Sequence, residues 1–169
     1  MKQLVISIDT EADWFKAERA ELTNMKGIPY FQDLCNRYGY IPTYLITYEV
    51  ATKDESLKIL KPISDADQCE IGHHMHIWTT PPFQIENEYG ADQKWIHGLQ
   101  SEIDDELFEL KMNNLHQQIV QNFGKIPGSH RAGRWAIDNR TFEWLEKNSY
   151  KVDSSICAHK TWKYSKGVN

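Results

Sequence analysis

Apolar and polar residues alternate along this chain in two different rhythms, and the switches between them set the predicted elements. Residues 4–8 are apolar and β-branched, a short buried strand that runs straight into acidic residues. Residues 28–37 repeat with a helical period, placing Tyr30, Phe31 and Leu34 on one face, and Gly39 ends the run. A second strand is predicted at 42–48, a short helix at 55–63, and a third strand at 69–76 that ends in a histidine cluster. Residues 78–98 carry two prolines and two glycines without regular periodicity and read as a long functional loop. The clearest helix is 101–123, with Ser101 as its cap, acids in its first turn and Leu107, Leu110, Leu115 and Ile119 as its buried stripe. Gly124 stops it. A fourth strand at 125–131, a helix at 141–148 and a fifth strand at 150–155 complete the pattern. Strands alternating with helices predict a mainly parallel α/β sheet or barrel.

Composition narrows this picture only slightly. A chain of 169 residues with 40% hydrophobic and 25% charged residues is expected to form a single globular domain spanning 1–169. The net charge of -5 argues against a nucleic-acid partner, since phosphate binding favours a basic surface. No apolar run is long enough for a membrane span or a signal peptide, so a cytoplasmic protein without membrane partners is expected. Cys35, Cys69 and Cys157 are odd in number and widely spaced, which predicts reduced thiols. Six tryptophans are many for this length, and Trp14, Trp78, Trp135 and Trp162 all neighbour polar residues. Such rings serve either as sugar-stacking platforms or as amphipathic residues at the core boundary.

In parallel α/β folds, functional groups collect at the carboxyl ends of strands. Here those ends carry Asp9 and Glu11, then His74 and His76, then Arg131, then Asp153. One residue separates His74 from His76, which puts both imidazoles on the same face of an extended segment. With a carboxylate from Glu11 or Asp13 they form a set that leaves metal positions open for water or substrate. Asp9 then remains as a general base, because a metal lowers the pKa of its water to about 7 and a nearby carboxylate can take the proton. His73 points the opposite way on a regular strand and joins only if the chain turns there. His97, His116, His130 and His159 lack comparable neighbours, and His116 is expected at the surface. Arg131 and Arg134 place two guanidiniums after the fourth strand, to orient Asp9, bind an anion or form a salt bridge. Asp153 either orients such a group or caps a turn.

Four segments, taken together, resemble polysaccharide deacetylases, the NodB-homology group known as carbohydrate esterase family 4. Ser7-Ile8-Asp9-Thr10-Glu11 is similar to the first motif of the family in its Asp-x-Glu variant, whose first aspartate is the general base. Glu70 through Pro82 resembles the histidine metal motif, in the branch with His-x-His-x-Trp before a proline pair. His130-Arg131-Ala132-Gly133-Arg134-Trp135 resembles the third motif, whose arginine positions the base and whose backbone helps bind an oxyanion. Val152 through Ile156 resembles the strand-end motif that follows.

The resemblance implies a distorted, incomplete (β/α) barrel and a divalent metal, zinc first, held by Glu11, His74 and His76. It implies Asp9, Arg131 and Arg134 in catalysis, and Trp78, Trp135 and Asp153 against substrate. The reaction implied is hydrolysis of an N- or O-linked acetyl group on a sugar or oligosaccharide. Three departures stand out. Asp9-Thr10-Glu11 replaces the usual Asp-Asp, Trp78 stands where the second histidine often falls, and no segment matches the closing leucine-histidine motif that supplies a general acid. About five strands are predicted, fewer than a full barrel needs, so a chain truncated at its C-terminal end and covered by homo-oligomerisation is one expectation. Two other functions compete with the deacetylase: a noncatalytic carbohydrate-binding domain and a metal-dependent hydrolase of a non-sugar amide or ester.

Overall fold

The computed structural model describes residues 4–159. Five parallel strands, β1 (Ser7–Thr10), β2 (Thr43–Ile46), β3 (Glu70–His73), β4 (Ser129–His130) and β5 (Val152–Asp153), lie in the sheet in sequence order. Each strand pairs with the next through a helical crossover, so the sheet curls in one direction as a half barrel. The helices are α1 (Ile28–Tyr38), α2 (Tyr48–Thr52), α3 (Asp54–Asp65), α4 (Asp105–Phe123) and α5 (Asn139–Lys147). Tyr44, Leu45 and Ile46 are all buried, as expected of a strand covered on both faces. The predicted α/β half barrel is therefore the observed architecture.

α4 forms the main wall of the core. The Asp104 carboxylate accepts from the Leu107 N–H at 2.8 Å, and Gly124 closes the helix in the left-handed region at φ 67°. Leu107, Lys111, Leu115, Ile119 and Phe123 follow one another at intervals of four, beside Phe108 and Met112, and all are buried. Each wholly buried apolar side chain contributes on the order of 2 kcal/mol.

Several expectations are corrected. Leu110 is 45% exposed, because the stripe advances by fours from Leu107 and passes it by. Ser101 does not cap α4; it is buried in a 3-10 turn (Gln100–Glu102) one step earlier. On α1 the inward face is Ile28, Gln32 and Cys35, whereas Tyr30 and Leu34 face outward. The buried Gln32 is retained there by polar partners, accepting from the Tyr44 hydroxyl at 2.9 Å and donating to the Gln68 carbonyl at 3.0 Å. β1 begins at Ser7, where its register with Thr43 starts, and leaves Leu4 and Val5 exposed. β3, β4 and β5 are shorter than predicted, since ladder pairing stops where each chain turns into the site.

The 78–98 segment is irregular, as predicted, yet firmly anchored. The Asp92 carboxylate accepts from the N–H groups of Gln84, Ile85 and Lys94. From α4, Lys111 Nζ donates to the Thr80 and Pro82 carbonyls and Asn114 donates to that of Pro81 at 2.8 Å. Cys35 and Cys69 are buried free thiols and Cys157 is a partly buried one. No helix among the described residues is long and apolar enough to cross a membrane.

Candidate metal centre

Where β1 and β3 end, the side chains that follow turn toward one another. Glu11 Oε2 lies 2.8 Å from His76 Nε2 and 3.6 Å from His74 Nε2, and the two Nε2 atoms are 3.0 Å apart. Four donors around zinc at ordinary bond lengths stand about 3.3 Å from one another, so this spacing fits a tetrahedral face. The Arg131 carbonyl accepts from His74 Nδ1 at 2.8 Å, which leaves the Nε2 lone pair directed at the centre. These residues therefore suit a divalent cation, and among the described residues they form the one such group. Asp13, the alternative carboxylate, lies outside this group, and its carboxylate accepts from the Thr23 hydroxyl and the Asn24 N–H.

Burial would raise the Glu11 pKa, but hydrogen bonds and charge from His74 and His76 override it and hold the carboxyl well below its usual range. Burial likewise disfavours a charged His74, yet Glu11 and Asp9 outweigh it and the pKa rises. His76, equally buried, has its pKa lowered, first by burial and also by charge on His74, although Glu11 pulls the other way. The two imidazoles are thus shifted in opposite directions, and a cation at the centre would compete with protons for their Nε2 atoms.

His73 faces the other side of the sheet. It is fully buried, with Nδ1 at 3.0 Å from His130 Nδ1 and Nε2 at 3.2 Å from the Met112 carbonyl. Burial lowers its pKa to about 3, so it is a neutral core residue. His116, expected at the surface, is half-buried and contacts the Tyr150 hydroxyl at 3.0 Å.

Asp9 is held by Arg131. The guanidinium donates to Asp9 Oδ1 at 2.5 Å, to the Ser7 hydroxyl at 2.7 Å and to Ser154 Oγ at 3.1 Å. Ser7 was missed by sequence reasoning, although its place two residues before Asp9 puts it on the same strand face. Asp9, Glu11, Trp14, His74, His76, Arg134 and Trp135 line one cavity of about 320 Å³. Trp78 lies beneath it, buried, its ring centroid 4.1 Å from that of His76 and 6.0 Å from that of Trp14. Asp153 is also set back: it accepts from the Ser155 N–H at 2.9 Å and the Ser155 hydroxyl at 2.7 Å. That hydroxyl in turn accepts from the Ala132 N–H at 2.8 Å, so Asp153 steadies the loop that carries the arginines.

Glycine is required at 133. A Cβ there would meet the Met75 carbonyl oxygen at 2.6 Å and His76 Cδ2 at 2.8 Å. Arg134 and Trp135 follow with φ 57° each, a left-handed pair without glycine that costs about 1–2 kcal/mol per residue. This turn aims both at the cavity. The N–H groups of Arg131, Ala132, Gly133, Trp135 and Ala136 all have acceptors within the protein. In this stretch the Arg134 N–H alone has no backbone acceptor among the described residues.

The fold is a half barrel like that of the polysaccharide deacetylases. No family model matches the sequence, and no curated protein matches it either. Solved structures do match by shape. A protein assigned as a polysaccharide deacetylase from Mycobacterium smegmatis superposes with a TM-score of 0.64 at 14% identity, over 90% of this chain and 50% of that one. The Bc1960 peptidoglycan N-acetylglucosamine deacetylase gives a TM-score of 0.58 at 13% identity, over 88% of this chain and 54% of that one. A mutant, with restored activity, of a Bacillus anthracis pseudoenzyme of the CE4 family gives 0.57 at 12% identity, over 90% and 44%. At these identities the likeness is one of fold, and the chain spans about half the length of the structures it matches.

Proposed function

We propose that this chain carries the metal-binding half of a carbohydrate deacetylase, a hydrolase that removes an N- or O-linked acetyl group from a sugar. The observation that carries the reading is the convergence of Glu11 Oε2, His74 Nε2 and His76 Nε2 in the same cavity wall as Asp9. A divalent cation held by those three atoms, zinc first, would supply Lewis acidity at the acyl oxygen and make a nearby water more acidic. Asp9 takes the proton of the attacking water. Arg131 keeps that carboxylate oriented through its 2.5 Å bond. The Arg134 N–H donates to the oxygen that gains charge as the carbonyl is attacked. Trp14 and Trp135 offer ring faces for the sugar.

Among the described residues the cavity wall holds no second carboxyl or imidazole once the three ligands are assigned. Asp9 therefore also returns its proton to the leaving nitrogen or oxygen. The zinc-loaded chain should release acetate from N-acetylated chitooligosaccharides or acetylxylan, and Asp9→Asn should lower kcat by about a hundredfold or more while zinc still binds. Undiminished release by the variant would remove Asp9 from the role. Sugar binding without any release from the wild type would favour a noncatalytic carbohydrate-binding domain, a reading supported by the pseudoenzyme of the same fold.

A further inference from the structure

Five arginines occur in the sequence, and four of them are neutralised by carboxylates: Arg19 by Glu18 and Glu21, Arg37 by Asp33, Arg131 by Asp9, and Arg140 by Asp105 and Asp138. Arg134 is the exception. Its single hydrogen bond runs from Nη1 to the His97 carbonyl. The Nε and Nη2 groups, which together form the edge that grips a carboxylate with two parallel bonds, have no acceptor in the described protein. This half-buried guanidinium lines the same cavity as Asp9, Glu11, Trp14, His74, His76 and Trp135.

A cation so placed has a cost unless something uses it. The left-handed backbone at 134 is strained for arginine, and the bond to His97, itself at φ 59°, fixes one arm of the guanidinium while leaving the other edge open. Neutralising Asp9 does not explain it, since Arg131 already does so. The two arginines thus differ in role. Arg131 is consumed by protein groups, whereas Arg134 lines the cavity with one edge open.

We propose that Arg134 is a specificity-determining residue that binds a carboxylate carried by the substrate sugar, so that the cavity selects acidic sugars over neutral ones. This rests on the reading of the cavity as a sugar site, and it names the class of sugar. The fork itself suits either anion, but one guanidinium balances the single charge of a carboxylate and not the nearly double charge of a phosphate monoester, so a carboxylate is favoured. Phosphate would need further cations, and no lysine or second unpaired arginine lines the wall.

N-acetylmuramic acid and N-acetylglucosamine form a matched pair of probes, alike except for an ether-linked carboxylate. Titration of each into the full chain, with and without zinc, is followed by tryptophan fluorescence, since Trp14 and Trp135 border the cavity. The wild type should bind the carboxylated sugar about tenfold or more tightly than the neutral one. In Arg134→Gln the ratio of the two affinities should fall to about one, and Arg134→Lys, which keeps charge but lacks the fork, should show an intermediate ratio. A ratio near one in the wild type, or a preference that survives in Arg134→Gln with a wild-type near-UV circular dichroism spectrum, would overturn the assignment. So would tighter binding of N-acetylglucosamine 6-phosphate than of the carboxylated sugar. Absence of selectivity in a wild type that still binds zinc rejects Arg134 alone; absence of zinc binding from the wild type rejects the metal-site reading, while the sugar ratio still reports on Arg134.

Discussion

Replacing Lys111 by methionine removes a cation that is wholly buried in the interior of α4. Its ammonium donates to the Thr80 carbonyl and, at 2.8 Å, to that of Pro82, with the Phe83 ring centroid 5.5 Å away. No carboxylate among the described residues lies in salt-bridge contact with it. Burial therefore pushes the Lys111 pKa down from 10.5 to about 8, with Asp92 pulling weakly the other way. Between those two values the unfolded chain holds a proton that the folded chain has released, so stability rises with pH in that window. Below about pH 8 both states are charged and the folded state carries the full burial cost; above about 10.5 both are neutral and the cost is gone. The slope is about 1.4 kcal/mol per pH unit, or about 2–3 kcal/mol between pH 8 and 10. Urea unfolding of wild type and Lys111→Met at several pH values isolates this group, because other titrations cancel in the difference. At neutral pH methionine relieves the buried charge but strips two carbonyls of their donor, and those effects offset each other. The diagnostic result is wild-type stability gaining about 2 kcal/mol on the variant as pH rises from about 8 to 10. A pH-independent difference would refute the placement of a buried ammonium under the 78–98 loop.

Gly133→Ala should cost about 1–3 kcal/mol in urea unfolding and weaken zinc binding by about tenfold, because the new methyl group collides with the Met75 carbonyl and the His76 ring; unchanged zinc affinity would show that His76 need not hold its position. Arg131→Gln strips Asp9, Ser7 and Ser154 of one shared donor group in a mostly buried pocket. It should destabilise the fold by about 2–3 kcal/mol and lower acetate release by about tenfold or more, read from urea midpoints and steady-state rates.

How far these features can be foreseen in the sequence depends on the kind of interaction that sets them. Strand order follows from local patterning, so the alternation of strands and helices from Ser7 to Asp153 is legible, as are Asp9, His74, His76 and Arg131 at strand ends. That Glu11 rather than Asp13 stands beside His74 and His76 requires three dimensions: Asp13 accepts from Thr23 and Asn24, across a turn that no periodicity marks. Lys111 is invisible because a lysine at a helical core position normally points to solvent; it is explained only by the carbonyls of a distant loop. Trp78 and Asp153 are expected against substrate, and the structure places both behind the residues that face the cavity. Hydrophobicity alone assigns Tyr30 and Leu34 to the core face of α1, whereas a hydrogen-bonded Gln32 occupies it. Conversely, the left-handed turn at Arg134 and Trp135 carries no local glycine signal beyond Gly133, although it is what brings both side chains to the cavity.

The metal site itself is tested most directly by isothermal titration of zinc into the full chain and into Glu11→Gln, His74→Ala, His76→Ala and Asp9→Asn. One zinc ion should bind the wild type, each of the three ligand variants should lose at least about tenfold in affinity, and Asp9→Asn should retain binding. Equal zinc affinity across the wild type and the three ligand variants would contradict a centre built on Glu11, His74 and His76.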